Sequence, residues 1–324
     1  MRDRYGREID YFRISVTDRC NFRCRYCRPP EGVSLVGPDE VLSFEEIVTL
    51  IQVANGLGVT KVRLTGGEPL VRRGIVELVR LLSEGGELRD LALTTNGSLL
   101  EEYAPALKEE GLMRVNVSLD TLKPERFREI TRGGEIERVW QGIERALAVG
   151  LRPVKLNTVV MRGFNEDEIV ELARLTAEPG LTVRFIELMP IGEANGGFFS
   201  AHYLSVAEVR RRLEEELELL PAGGAQGSGP ARYFRLKGAK GTLGFITPLT
   251  ESYCARCNRL RLTARGELRP CLAWDRNIPL REALKSGDHR LVREKLLQAI
   301  REKPPGHRWD RGMVTSDSIG AIGG

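Results

Sequence analysis

Six cysteines stand in two tight groups: Cys20, Cys24 and Cys27 near the start of the chain, and Cys254, Cys257 and Cys271 near its end. Clustered thiols in a chain without secretion signals bind metal more often than they pair as disulfides. Three thiols are one short of what a structural zinc ion takes. His202, His289 and His307 lie far from both groups in sequence. A four-iron cluster, normally held by four cysteines, would keep one iron open for a small molecule. The competing reading of the first group is a zinc knuckle completed by some other residue.

The second group carries a further signal. Arg259 and Arg261 lie between its ligands, and alternation along an extended strand points them to one side. Two guanidinium groups beside an open iron suit an anionic ligand with several oxygens. The overall charge is +4, with 49 Lys and Arg against 45 Asp and Glu. That is too even for a nucleic-acid binder, which concentrates basic residues. No run of about 18 apolar residues occurs, so no membrane span is expected. The charged start, Met1 to Asp10, does not read as a signal peptide. A cytoplasmic enzyme with no nucleic-acid or membrane partner is expected.

Such groups need a frame. Short apolar runs at Tyr11–Val16, Lys61–Thr65, Asp90–Thr95, Met113–Ser118, Arg152–Val160 and Thr182–Leu188 predict strands. Between them, helical patterns cover Ser43–Leu57, Gly74–Glu84, Glu101–Glu110, Ile136–Val149 and Glu166–Thr176. Ser43 followed by Glu46 reads as a capping box, and Gly58, Gly111 and Gly150 end helices before the next strand. This α/β rhythm predicts an incomplete (β/α)6-type TIM barrel. Polar clusters at Thr65–Glu68, Thr94–Gly97 and Asn116–Asp120 fall at strand C-terminal ends, where barrel sites are built. A helix over Ser205–Leu219 closes this part. Pro221–Pro230, rich in glycine, reads as a flexible connection, and a hairpin over Tyr233–Leu236 and Thr242–Thr247 follows. Two regions are expected: residues 1–220 as the barrel, and 221–324 as a smaller α+β region carrying the second cluster.

Cys20-Asn21-Phe22-Arg23-Cys24-Arg25-Tyr26-Cys27, with an aromatic residue before the third cysteine, resembles the signature of the radical S-adenosylmethionine superfamily. Thr65-Gly66-Gly67-Glu68-Pro69 resembles its glycine-rich motif, and glycines there let backbone approach a neighbour closely. Together with Cys254-Ala255-Arg256-Cys257-Asn258-Arg259-Leu260-Arg261, Cys271 and the terminal Gly323-Gly324, the whole chain resembles the GTP 3′,8-cyclase family, which opens molybdenum-cofactor biosynthesis. Arg28 departs from the methionine many members carry there, and adds a charge near the cluster mouth.

The resemblance implies two [4Fe-4S] clusters, held by Cys20, Cys24 and Cys27 and by Cys254, Cys257 and Cys271. It implies S-adenosylmethionine contacts at Tyr26, Gly67, Ser118 and Met189. GTP contacts are implied at Arg13, Arg63, Thr94, Lys155, Arg259 and Arg261, with Lys61 and Arg184 as further basic contributors. No catalytic side chain is expected beyond the clusters. The tail at Gly323-Gly324 would reach into the pocket. An external electron donor, a homodimer and hand-over of product to cyclic pyranopterin monophosphate synthase are also implied. Two rivals are a peptide-modifying maturase with an auxiliary cluster and a zinc-binding nucleic-acid module.

Overall fold

The computed structural model describes residues 1–85, 87–223, 229–309 and 319–322. Gly323-Gly324 and the middle of the Pro221–Pro230 connection lie outside the described residues. In chain order the elements are β1 (Tyr11–Ser15), α1 (Phe44–Asn55), β2 (Lys61–Thr65), α2 (Ile75–Glu84), β3 (Asp90–Thr95) and α3 (Leu100–Glu109). They continue as β4 (Arg114–Ser118), α4 (Pro124–Thr131), α5 (Ile136–Ala148), β5 (Val154–Val160), α6 (Ile169–Arg174) and β6 (Leu181–Glu187). Next come α7 (Gly196–His202), α8 (Val206–Glu216), β7 (Leu219–Pro221), β8 (Arg232–Leu236) and β9 (Thr242–Ile246). The last are β10 (Arg259–Leu262), β11 (Glu267–Arg269), β12 (Ile278–Pro279), α9 (Arg281–Lys285) and α10 (His289–Arg301).

One sheet runs in the order β12-β11-β10-β1-β2-β3-β4-β5-β6-β9-β8-β7. From β10 through β6 to β9 every pairing is parallel, and the outer strands at both ends are antiparallel. The expected partial barrel is therefore present. Two strands from beyond residue 221, β9 and β10, extend its parallel wall on either side.

Period-two alternation divides every barrel strand between two environments. Phe12, Ile14, Val62, Leu64, Leu91, Leu93, Val115, Val117, Leu156, Val183, Phe185, Leu260 and Leu262 are buried in one continuous core with the helices. The other parity carries polar and charged side chains. Register sets Arg13 beside Arg63 and Arg261, Asn116 beside Lys155, and Asn157 beside Arg184. The lumen is thus lined by charge and jacketed by hydrocarbon.

Local signals explain the helix ends. Ser43 Oγ accepts from Glu46 N at 3.2 Å and Glu46 Oε2 from Ser43 N at 2.6 Å, a complete capping box for α1. Gly58 and Gly111 take left-handed φ of 92° and 98°, which lets the chain turn straight into β2 and β4. The helix expected over Ser205–Leu219 stops at Glu216, because Leu219–Pro221 pairs with β8 as an antiparallel strand.

Candidate functional site

The first cysteine group sits on the loop leaving β1. Cys24 and Cys27 frame a tight turn, in which Cys24 O accepts from Cys27 N at 2.9 Å and Arg28 N at 3.0 Å. The glycine motif packs directly under this loop. Gly67 N donates to Thr17 O and Glu68 N to Arg19 O, both at 2.8 Å. A Cβ on Gly66 would lie 2.3 Å from Thr17 O, and one on Gly67 2.2 Å from Arg19 O. In this structure the close approach that requires glycine is therefore to the cysteine loop itself.

Carboxylates hold the loop's far side. Glu68, buried, accepts from Thr95 Oγ1 at 2.8 Å, Asn96 N at 2.6 Å and Leu70 N at 3.0 Å. Burial nevertheless raises its carboxyl to about 7. Tyr26 donates its hydroxyl to Asp120 Oδ2 at 2.7 Å, and Val159 N donates to Asp120 Oδ1 at 2.8 Å. Burial also lifts Asp120, to about 6. Among the thiols, burial pushes Cys20 to about 11 and moves Cys24 and Cys27 up as well. Of the expected S-adenosylmethionine contacts, Tyr26 lies within this loop, Gly67 packs under it, Ser118 ends β4, and Met189 lies two residues past β6.

The lumen below is cationic. Lys61 is neutralised at its rim by Asp10, Nζ to Oδ2 at 2.6 Å, and Arg114 by Asp90, Nε to Oδ1 at 2.9 Å. Arg13, Arg63, Lys155, Arg184, Arg259 and Arg261 crowd the space between the strands. Burial, then Arg261, lowers Arg13, and burial lowers Arg63. Burial and Arg184 bring Lys155 down to about 6; burial takes Arg184 to about 10. Arg184 Nη2 donates to Asn116 Oδ1 at 2.8 Å, and Asn116 Nδ2 reaches Thr94 Oγ1 at 3.4 Å. So many buried like charges weaken one another. Their retention points to an anion that belongs among them.

The second cysteine group brackets the antiparallel pair β10–β11, with Cys254 and Cys257 before β10 and Cys271 after β11. Cys254, Cys257 and Cys271 line one cavity with Arg259, Arg261 and Lys303. Burial alone would raise Cys257, but Arg259 and Lys303 outweigh it and bring the thiol to about 6. Burial likewise opposes the charge on Arg259, yet Cys257 beside it raises its pKa. Lys303, buried, donates to Arg259 O and Pro270 O, both at 2.7 Å, and so ties β10 to the segment leading into Cys271. Arg7 reaches across from the N-terminus: its guanidinium donates to Cys254 O at 2.9 Å, Pro304 O at 2.6 Å and Pro305 O at 3.1 Å.

Both donor sets fit iron–sulfur clusters. Thiolates are the ligand type, and each set is held by buried backbone and by cations or carboxylates; His307, distant in sequence, lines the second cavity with the three thiols, its Nε2 2.8 Å from Pro248 O. Among the described residues, no three His, Cys, Asp or Glu side chains lie close enough to hold a single metal ion. No motif spacing marks Lys303 or Arg7; Glu68 stands in the glycine motif and Asp120 in the polar cluster after β4, where the sequence alone gives neither a partner.

Among the described residues, no helix is long and apolar enough to cross a membrane. Residues 14–176 match the radical SAM superfamily, and residues 181–309 match the family described as Molybdenum Cofactor Synthesis C. A GTP 3′,8-cyclase of Pelotomaculum thermopropionicum is 53% identical over 326 residues, covering 100% of both chains. One of Moorella thermoacetica is 50% identical over 325 residues, again covering 100% of both. Among solved structures, Streptococcus suis SuiB bound to the precursor peptide SuiA superposes with a TM-score of 0.64 at 15% identity. That match covers 91% of this chain and 67% of that chain. At such identity the likeness speaks for the fold alone.

Proposed function

The chain belongs to the GTP 3′,8-cyclase family of the radical SAM superfamily, and from that membership we propose how its residues divide the work. It is a radical SAM enzyme of molybdenum cofactor synthesis, a family that uses S-adenosylmethionine and a [4Fe-4S] cluster. Cys20, Cys24 and Cys27 would hold that cluster, and bound there with S-adenosylmethionine it supplies a 5′-deoxyadenosyl radical. Tyr26, Gly67, Ser118 and Met189 would contact the S-adenosylmethionine. Cys254, Cys257 and Cys271 would hold a second cluster, whose open iron would take the guanine base of GTP.

The chain's own residues then do three things. Arg13, Arg63, Lys155, Arg184, Arg259 and Arg261 would bind the triphosphate, with Thr94 as a hydroxyl contact and Lys61 contributing from the rim. A triphosphate replaces mutual repulsion among these cations with charge-assisted hydrogen bonds. Arg259 and Arg261, on a strand joined directly to β1, would fix the nucleotide between the two cysteine groups. Such fixing turns C3′ of the ribose toward the radical source and C8 of guanine toward C3′. Orientation of this kind supplies roughly 7–11 kcal/mol of the barrier reduction. Burial of Arg63, Lys155, Arg184 and Arg261 keeps bulk water from these groups, so it does not screen the ion pairs.

We further propose that residues 1–220 form the radical-generating part and residues 221–324 the auxiliary-cluster part. An external electron donor, a cytoplasmic homodimer and cyclic pyranopterin monophosphate synthase as the next enzyme complete the proposal.

The cationic lumen between two thiol groups is the observation that carries this reading. Anaerobic turnover with deuterium at C3′ of GTP tests it. Label is expected in 5′-deoxyadenosine; unlabelled 5′-deoxyadenosine formed alongside product would refute hydrogen removal from C3′.

A further inference from the structure

Arg28 follows the third cysteine and is 5% exposed. Its guanidinium donates to the Asp18 carbonyl, and its positive charge acts on the thiols of Cys20 and Cys27. The backbone around it is fixed: Arg28 N donates to Cys24 O at 3.0 Å, and Arg132 Nη1 donates to Arg28 O at 2.7 Å. The head group lies against the glycine motif, where a Cβ on Gly67 would be 2.7 Å from Arg28 Nη2. The other charges felt by this cysteine group are negative: Glu68 at Cys20, Asp120 at Cys24 and Glu193 at Cys27.

Reducing a four-iron cluster adds one negative charge inside the protein. Neighbouring carboxylates oppose that step, whereas a buried cation favours it. Arginine suits the role because it stays charged at any working pH.

We propose that Arg28 is a positioning residue that raises the reduction potential of the first cluster, by holding a fixed, buried positive charge against the cysteine loop and the glycine motif. The proposal rests on the cluster assignment made above. It makes Arg28 the counterweight to Glu68, Asp120 and Glu193, so that a weaker external donor suffices to load the electron.

The test is an anaerobic potentiometric titration of the full-length, iron-loaded enzyme with dithionite and mediators. It is followed by electron paramagnetic resonance of the reduced-cluster signal that responds to S-adenosylmethionine. In Arg28→Met the ratio of reduced to oxidised first cluster at a fixed potential is expected to fall about tenfold, equivalent to about 59 mV for one electron. Arg28→Gln, which is polar but carries no charge, should fall as far as Arg28→Met. Arg28→Lys should stay nearest the parent. Arg28→Gln also carries the test if Arg28→Met loads no iron. Iron-replete Met or Gln variants titrating at the parent potential would overturn the proposal, as would a Lys variant falling as far as Met. A parent enzyme with no S-adenosylmethionine-responsive signal would instead refute the cluster assignment beneath it.

Discussion

At Cys24, burial, Cys27 and Asp120 all push the thiol up; at Cys257, Arg259 and Lys303 outweigh burial and bring it to about 6. Both cysteines are the middle member of a triplet on a loop beside the same parallel sheet. What differs is the charge built around them. The first triplet has Glu68, Asp120 and Glu193 for neighbours, with Arg28 as the opposing cation. The second has Arg259, Arg261 and Lys303. S-adenosylmethionine carries a positive sulfonium and GTP a negative triphosphate, so each surrounding complements the ligand assigned to it. Donor atoms alone do not separate two sites of identical thiol count; the field around them does.

The sharpest way to break this comparison is to remove one triplet at a time. Cys24→Ala should abolish S-adenosylmethionine cleavage and product formation together. Cys257→Ala should abolish product while leaving uncoupled cleavage of S-adenosylmethionine, read as 5′-deoxyadenosine released without cyclised nucleotide. Loss of cleavage in both variants would merge the two roles into one.

A smaller effect is expected from Arg259→Ala and Arg261→Ala. A hydrogen bond to a charged group contributes about 1.5–3 kcal/mol, so each should weaken GTP binding roughly 10- to 100-fold. Cleavage of S-adenosylmethionine should persist in both. Unchanged GTP affinity, measured by anaerobic calorimetry, would remove the arginines from the substrate site.

The mildest effect is on pH. Lys155 is faced by Arg184 on β6, Arg114 on β4, Arg63 on β2, Asp90 on β3 and the Tyr233 ring on β8. Its pKa near 6 leaves the amine neutral in the free enzyme above pH 6. A triphosphate raises that pKa, so binding takes up a proton, and GTP affinity falls as pH rises through the window between the free and bound values. The slope is at most about tenfold per pH unit. The nucleotide's own titration is common to parent and variant, so the slope should be shallower in Lys155→Met by the lysine's share. An equal slope in that variant would assign the proton elsewhere.

The barrel was legible because its strands carry two messages at once. Phe12, Ile14, Val62 and Leu64 announce a buried face, while Arg13 and Arg63 between them announce a charged one, and the six barrel strands fall within two residues of expectation. The short helix α4 escaped notice, since only Phe127, Ile130 and Thr131 of its eight residues are buried. The pairing of β10 with β1 joins residues about 250 apart, and no local pattern encodes such a contact. The site divides the same way. Cysteines and paired arginines declare themselves by type and spacing, whereas Asp120, Glu68 and Lys303 gain meaning only from what the fold brings against them.

Two clusters, each with an iron left for a ligand, are the claim on which the rest stands. Iron analysis of anaerobically reconstituted enzyme, with electron paramagnetic resonance before and after GTP, tests it most directly. The account predicts about eight irons per chain. It also predicts one signal that changes with S-adenosylmethionine and a second, absent in Cys257→Ala, that changes with GTP. About four irons per chain, or a second signal indifferent to GTP, would contradict it.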